Sequence, residues 1–159
     1  MANIDNECKD LKVNELHTEA MKNGVDTFAA IYNHQKEMQE NTYGFDFENM
    51  TIKEIKDFWM TNTFAVQDEM HEMMDALGGI KDGDGNAVWK YWKSKHESYK
   101  DKKISDLSDG DRKELFMEWI DILHFMLNFP ISIGFKPEEI FSFYFAKAAE
   151  NKDRQARNY

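Results

Sequence analysis

Two carboxylates, Glu118 and Asp121, sit inside "FMEWIDILHFMLNF", a stretch from Phe116 to Phe129 that is otherwise almost wholly apolar. No other feature restricts the fold as tightly. An ionised carboxylate is expensive to remove from water unless a partner, a cation or residual solvent compensates it. The stretch therefore predicts a helix packed by protein on most sides, with one polar stripe turned to a cavity, a cleft or water. Residues three apart on an α-helix differ by roughly 60° around its axis, so Glu118 and Asp121 share a face, with Glu114 and Asn128 projecting toward the same side. Leu115, Trp119, Ile122, Leu123, Phe125, Met126 and Phe129 occupy the others.

A second pair repeats the pattern. In "QDEMHEMMDAL", Glu69 and Glu72 are three apart beside an apolar face of Val66, Met70, Met73 and Leu77. A lone Glu-x-x-Glu on a helix is ordinarily a solvated border. Two such pairs on two helices raise another expectation: if the stripes oppose, four carboxylates converge and their repulsion demands counter-charge. One or more oxygen-loving divalent cations supply it, with Mg²⁺ foremost, because carboxylate and water ligands suit it and it bridges phosphates.

The pattern around these pairs predicts an all-α chain. There are only two prolines, and alternating β-branched runs are scarce. A first helix is expected from Leu16 to Asn41, its apolar face made by Met21, Val25, Phe28, Ile31, Tyr32 and Met38, and "NTYGFDFENM" breaks it. Thr51 and Glu54 form a capping box that opens a second helix running to Leu77, where Gly78 and Gly79 end it. "KDGDGNA" is a loop, and "VWKYWKSKHESYKDKK" reads as a short basic helix or arm. A further helix spans Asp111 to Phe129, with Pro130 bending or ending it. Gly134 precedes a last helix that starts with Pro137 near N1 and acids in its first turn. One domain over 1–159 is expected, with 1–15 as a flexible arm.

Thirty acidic against twenty basic residues leave a net charge of −10, which disfavours tracking along duplex nucleic acid. Cys8 is the only cysteine, so neither an intrachain disulfide nor a cysteine-based zinc site is available. "MANIDNECKDLK" lacks the pattern of a signal peptide, and no apolar run is long enough to span a bilayer. A cytoplasmic protein that does not enter membranes is the expectation.

Basic residues gather near the C-terminus. Lys147, Asn151 and Arg154 fall at i, i+4 and i+7, one helix face suited to the oxygens of a polyphosphate, although such a face is ordinarily a solvated helix end. In "WKYWK", Trp89 and Trp92 alternate with Lys90 and Lys93; rings stack on bases and lysines meet phosphate, but tryptophans three apart more often anchor a core. His124, three residues after Asp121, reads as a hydrogen-bonded core histidine rather than a ligand.

Taken together, "DEMHEMMDALGG", "AVWKYWKS", "EWIDILHFMLN" and "GFKPEEIFSFYFAKAAENKDRQARNY" resemble the dimeric all-α dUTPases, and among them the dCTP/dUTP pyrophosphatases of T-even-type bacteriophages. The likeness runs from Asp68 to Tyr159, and "HQKEMQENTYGFDF" resembles the family's base-recognition segment. It implies a helical bundle of the all-α NTP pyrophosphatase type related to the MazG group, a homodimer, and Mg²⁺-dependent hydrolysis of dCTP or dUTP to the monophosphate and pyrophosphate. It further implies that Glu69, Glu72, Glu118 and Asp121 ligate Mg²⁺, with Glu69 and Glu72 catalytic. By the same carry-over, Lys90, Lys93, Lys147, Asn151, Arg154 and Tyr159 bind phosphate and sugar, and Gln35 and Trp89 form the base pocket. Two positions depart from the family: Ala148 stands where Asn is usual, and Asn158 precedes Tyr159 where Gly is usual.

Two other readings remain. Asp121 and His124 have the carboxylate-x-x-His spacing of di-iron bundles, although the other acidic helix has Glu72 followed by Asp75 instead. Ala148 leaves room for a catalytically impaired relative that binds or senses nucleotides.

Overall fold

A computed structural model describes residues 13–79 and 84–157, and every regular element among them is helical. The all-α expectation is borne out. The long elements are α1 (Val13–Lys22), α2 (Thr27–Glu37), α3 (Ile52–Gly78), α4 (Asp109–Ser132) and α5 (Pro137–Ala156). By packing, the chain divides into two compact units: one takes Lys56–Met126, the other the described residues up to Ile55 and those from Leu127 onward. The boundaries fall inside α3 and α4. No helix among the described residues is long and apolar enough to cross a membrane.

In the second unit, the single helix expected over Leu16–Asn41 is two. Gly24 adopts φ +67°, which breaks the first, and Asp26 starts the next by accepting the amide of Ala29 at 3.0 Å. After Glu37 the backbone widens into a π turn, Met38–Thr42. The inward face of this region also differs from the one the spacing suggested. Met21, Val25, Phe28 and Ile31 are exposed; of the expected face Tyr32 is buried, and it is joined by Gln35 and Gln39. The Tyr32 hydroxyl donates to the carbonyl of Phe135, which ties α2 to the turn before α5. That turn is set by Gly134 at φ +77° and by Pro137 at the start of α5, with the amide of Lys136 donating to Glu139 at 2.9 Å.

The capping box at the head of α3 forms as expected, with the Thr51 amide 2.8 Å from Glu54 Oε2 and the Glu54 amide 3.3 Å from Thr51 Oγ1. In the first unit, α3 ends on Gly78, and Gly79 at φ +88° turns the chain away. The loop then returns against the helix it left. A β-carbon on Gly78 would lie 2.0 Å from the Gly85 carbonyl oxygen, and one on Gly85 would lie 2.2 Å from the carbonyl oxygen of Asp75. Only glycine at both positions permits that crossing.

The segment read as a basic helix or arm is neither. It is a chain of 3₁₀ turns, Gly85–Val88, His96–Tyr99 and Ile104–Asp106. Local side-chain bonds compete with a continuous helix there: His96 Nδ1 meets the Ala87 carbonyl at 2.9 Å, Tyr99 donates to Asp84, and Lys95 pairs with Asp84. α4 begins at Asp109, two residues earlier than the pattern suggested, because Ser108 caps it through the amide of Asp111 at 3.1 Å. Pro130 does not end α4, which continues to Ser132. Part of the apolar run is not enclosed by this chain, for Phe116, Trp119 and Met126 are each about half or more exposed.

Candidate active site

The two acidic helices of the first unit do meet through their carboxylates. Glu69 and Glu72 of α3 and Glu118 of α4 bring one oxygen each within 4.8 Å of one another. Glu118 is buried, Glu69 half-buried and Glu72 exposed, so the group opens from the interior onto solvent. Asp121 does not bring an oxygen within that distance, but it is near enough to raise the pKa of Glu69.

The electrostatics show how unfavourable the gathering is for bare carboxylates. Burial, then the charge of Glu72 and a hydrogen bond to Glu69, push Glu118 up to about 8. Burial, then Asp121, also raise Glu69, against the opposing effect of its bond to Glu118. The direction of that bond follows: Glu118 carries the proton and Glu69 accepts it. Glu114, one turn before Glu118, is raised by burial and by Glu72, and it too hydrogen-bonds Glu118. It is a fifth acid at the site, and its i, i+4 spacing from Glu118 made it legible in the sequence.

Three carboxylate oxygens this close, one of them on a buried side chain, could hold a hard divalent cation. A cation bound there would replace the proton on Glu118 and remove the repulsion. Histidine takes no part in the group among the described residues: His124 Nδ1 lies 3.7 Å from Asp121 and outside it. The carboxylate-only donor set gives no support to the di-iron alternative.

Beside the acids, α3 also holds Trp89. Its Nε1 donates to Asp75 at 2.8 Å, its ring stacks on His71 with centroids 5.0 Å apart, and the ammonium of Lys90 lies 4.5 Å from its ring centre. Asp75 and His71 sit six and two residues after Glu69, so the helix that supplies the carboxylates also fixes the indole. The sequence held no signal for either contact, since both depend on how the 3₁₀ loop folds back. Lys93 gives its ammonium to Asn86 at 2.5 Å.

The remaining predicted residues belong to the second unit. Lys147, Asn151 and Arg154 are exposed on α5, and Arg154 is paired with Glu150 at 2.8 Å. Tyr159, Asn158 and Cys8 lie outside the described residues, as do the first twelve positions of the arm expected over 1–15. Gln35 is 2% exposed and donates through Nε2 to Asn128 Oδ1 at 2.8 Å. Asn128, expected on the acidic side of α4, is thus engaged by α2. Gln35 Oε1 is buried with no hydrogen-bond partner among the described residues, a state that costs about 1–3 kcal/mol.

Comparison with known proteins adds relatives. The chain is 33% identical over 170 residues to a dCTP pyrophosphatase of Enterobacteria phage LZ5, an alignment covering 97% of this chain and 98% of the relative. It is 36% identical over 97 residues to a dCTP pyrophosphatase of Enterobacteria phage T4, covering 60% of this chain and 57% of that protein. A DNA replication protein of the same phage is 37% identical over 85 residues, 52% of this chain and 22% of its own length. No protein-family model matches the chain, and no solved structure matches it significantly.

Proposed function

The chain belongs to the phage dCTP pyrophosphatase family, and from that membership we infer that it is a hydrolase cleaving dCTP to dCMP and pyrophosphate. The observation that carries the reading from family to chemistry is the convergence of Glu69, Glu72 and Glu118 from two helices. Glu69, Glu72, Glu118 and Asp121 would hold Mg²⁺, in two or more ions, which when bound polarises the α-phosphate and lowers the pKa of water.

The chain's own groups divide the remaining work. Glu69, half-buried and with its pKa raised, orients the attacking water and takes its proton, with Glu72 beside it. The water oxygen bonds to the α-phosphorus as the bridge to the β-phosphate breaks, and the pair of electrons leaves on pyrophosphate. Lys147, Asn151 and Arg154 meet that leaving charge and the sugar, together with Tyr159, and Arg154 exchanges Glu150 for phosphate to do so. Lys90 and Lys93 reach the phosphate chain from the Trp89 loop. Trp89 and Gln35 receive the base, and dUTP is the second substrate.

We further propose a homodimer in the cytoplasm of the host cell, each chain being one catalytic domain. On α5, Phe141, Phe143, Tyr144 and Phe145 are all more than half exposed. Three of them, Phe141, Tyr144 and Phe145, touch one another on one side of the helix, and a cluster of large aromatic residues on water is the pattern of a surface covered by a second chain.

Incubation with Mg²⁺ and each of the four common dNTPs or dUTP, followed by a pyrophosphate assay, tests the function. Release from dCTP is expected, and from dUTP at a lower rate. Absence of pyrophosphate from every nucleotide overturns the reading.

A further inference from the structure

Gln35 and Asn128 form a pair of buried amides, 2% and 3% exposed. Their hydrogen bond, Nε2 to Oδ1 at 2.8 Å, decides which way the Gln35 amide is turned. With the nitrogen committed to Asn128, Oε1 lies on the other side of the carboxamide, buried and with no hydrogen-bond partner among the described residues. Buried acceptors are almost always satisfied, so an orphan of this kind marks a place where a donor arrives from outside the chain. A second observation falls at the same point. The π turn Met38–Thr42 follows within one turn of Gln35, and π turns are rare and concentrate at functional sites.

We propose that Asn128 sets the pyrimidine preference of this enzyme, by locking Gln35 so that it offers the base an acceptor rather than a donor. The proposal rests on the reading of Gln35 as a base-recognising residue. Cytosine carries an amino donor at position 4 next to the N3 acceptor, whereas uracil carries a carbonyl acceptor at position 4 next to N3–H. A carboxamide fits either edge, one in each of its two orientations. A glutamine that turns freely about its last bond reads both. Turning Gln35 against a fixed Asn128 amide breaks its bond to Asn128 and sets two amide oxygens, Oε1 and Oδ1, against each other, so the lock requires that Asn128 keep its orientation. The locked orientation therefore receives the amino group of cytosine and meets the carbonyl of uracil acceptor against acceptor. Asn128 acts through Gln35, as a positioning residue, and discrimination follows from the pair.

The test is the ratio of kcat/KM for dCTP to that for dUTP in the full-length protein with Mg²⁺. Asn128→Leu removes the acceptor and frees the amide; the ratio is expected to fall by about tenfold, mainly through a lower KM for dUTP. Asn128→Asp offers only acceptors and is expected to keep the wild-type preference. A folded Asn128→Leu protein that loses both activities equally, with the ratio unchanged, overturns the proposal, since a purely structural role predicts that result. If Asn128→Leu does not fold, Gln35→Glu carries the test: its two acceptor oxygens cannot donate to uracil, so dUTP is expected to be lost further relative to dCTP, and an unchanged ratio overturns the proposal. Failure of the wild type to hydrolyse either nucleotide would be a failure of the enzymatic reading alone. The same ratios are then taken from calorimetric binding of dCTP and dUTP, where a preference for dCTP that Asn128→Leu erases supports the lock and one that it leaves intact refutes it.

Discussion

Glu118 of α4 keeps its proton and donates a hydrogen bond to Glu69 of α3, so the two acidic helices are joined through a carboxyl–carboxylate hydrogen bond rather than through an ion pair. The carboxyl of Glu118 is held up to about 8, by burial first and by Glu72 next. The site without cation is therefore built to be a weak acid, and its stability has to depend on pH.

In chelator-treated protein, the sign of that dependence follows from the raised value. The folded state binds the Glu118 proton more tightly than the unfolded state, whose value is 4.5. This contribution is complete below the unfolded value and is lost as pH rises through about 8. Glu69 and Glu114 shift in the same direction. The Tm measured with EDTA is expected to fall between about pH 5 and about pH 8, and excess Mg²⁺ at the higher pH should restore it. A Tm that rises over this range with EDTA would contradict the protonated pair.

Glu69→Gln separates catalysis from folding. Turnover of dCTP is expected to drop by about 10²–10⁴-fold, because the group that takes the proton from water is gone. The glutamine oxygen still accepts from Glu118, and one repelling charge is removed, so the EDTA-treated variant should melt no lower than wild type at pH 8. Near-normal turnover would remove Glu69 from the role given to it.

Arg154→Ala and Lys147→Ala address the leaving group. Both residues are exposed on α5, so neither substitution should alter Tm by more than a degree or so. Each should lower kcat/KM for dCTP by about tenfold or more through loss of charge on pyrophosphate. Steady-state kinetics with unchanged kcat/KM would exclude the residue concerned.

Gly78→Ala and Gly85→Ala probe the return of the loop against α3. The added carbon meets backbone oxygen at 2.0 Å and 2.2 Å, not the far end of a side chain that moves aside. A loss of about 3 kcal/mol or more in urea unfolding is expected for either. In Gly85→Ala the Trp89 emission spectrum should also change, since the loop carries Trp89 to Asp75.

Phe145→Asp tests the second copy. Phe145 contacts Phe141 and Tyr144 on the exposed aromatic face of α5. Sedimentation velocity should find wild type as a dimer and the variant as a monomer at micromolar concentration. Two monomeric species would place the dimer interface elsewhere or abolish it.

Much of the site was legible because helical periodicity is a property of the chain alone. Glu69 with Glu72, and Glu118 with Asp121, could be paired from spacing, as could the capping box at Thr51 and Glu54, since a helix places residues three and four apart on one face whatever surrounds it; that the two pairs meet was legible only through the resemblance. The division of the first expected helix at Gly24 was a local matter too, but a lone glycine inside a periodic pattern is tolerated often enough that the pattern prevailed.

What the amino-acid sequence determined by itself was the helical class, the acidic stripes and the caps, all products of forces acting within about one helical turn. Tertiary structure alone decided that Asn128 accepts from Gln35, that Trp89 leans on Asp75 and His71, and that Gly85 can cross Gly78. Those pairs lie between 7 and 93 positions apart in the chain, and no period links them. Their meeting is set by how faces pack once formed, which also determines which hydrogen bonds are left open for a ligand.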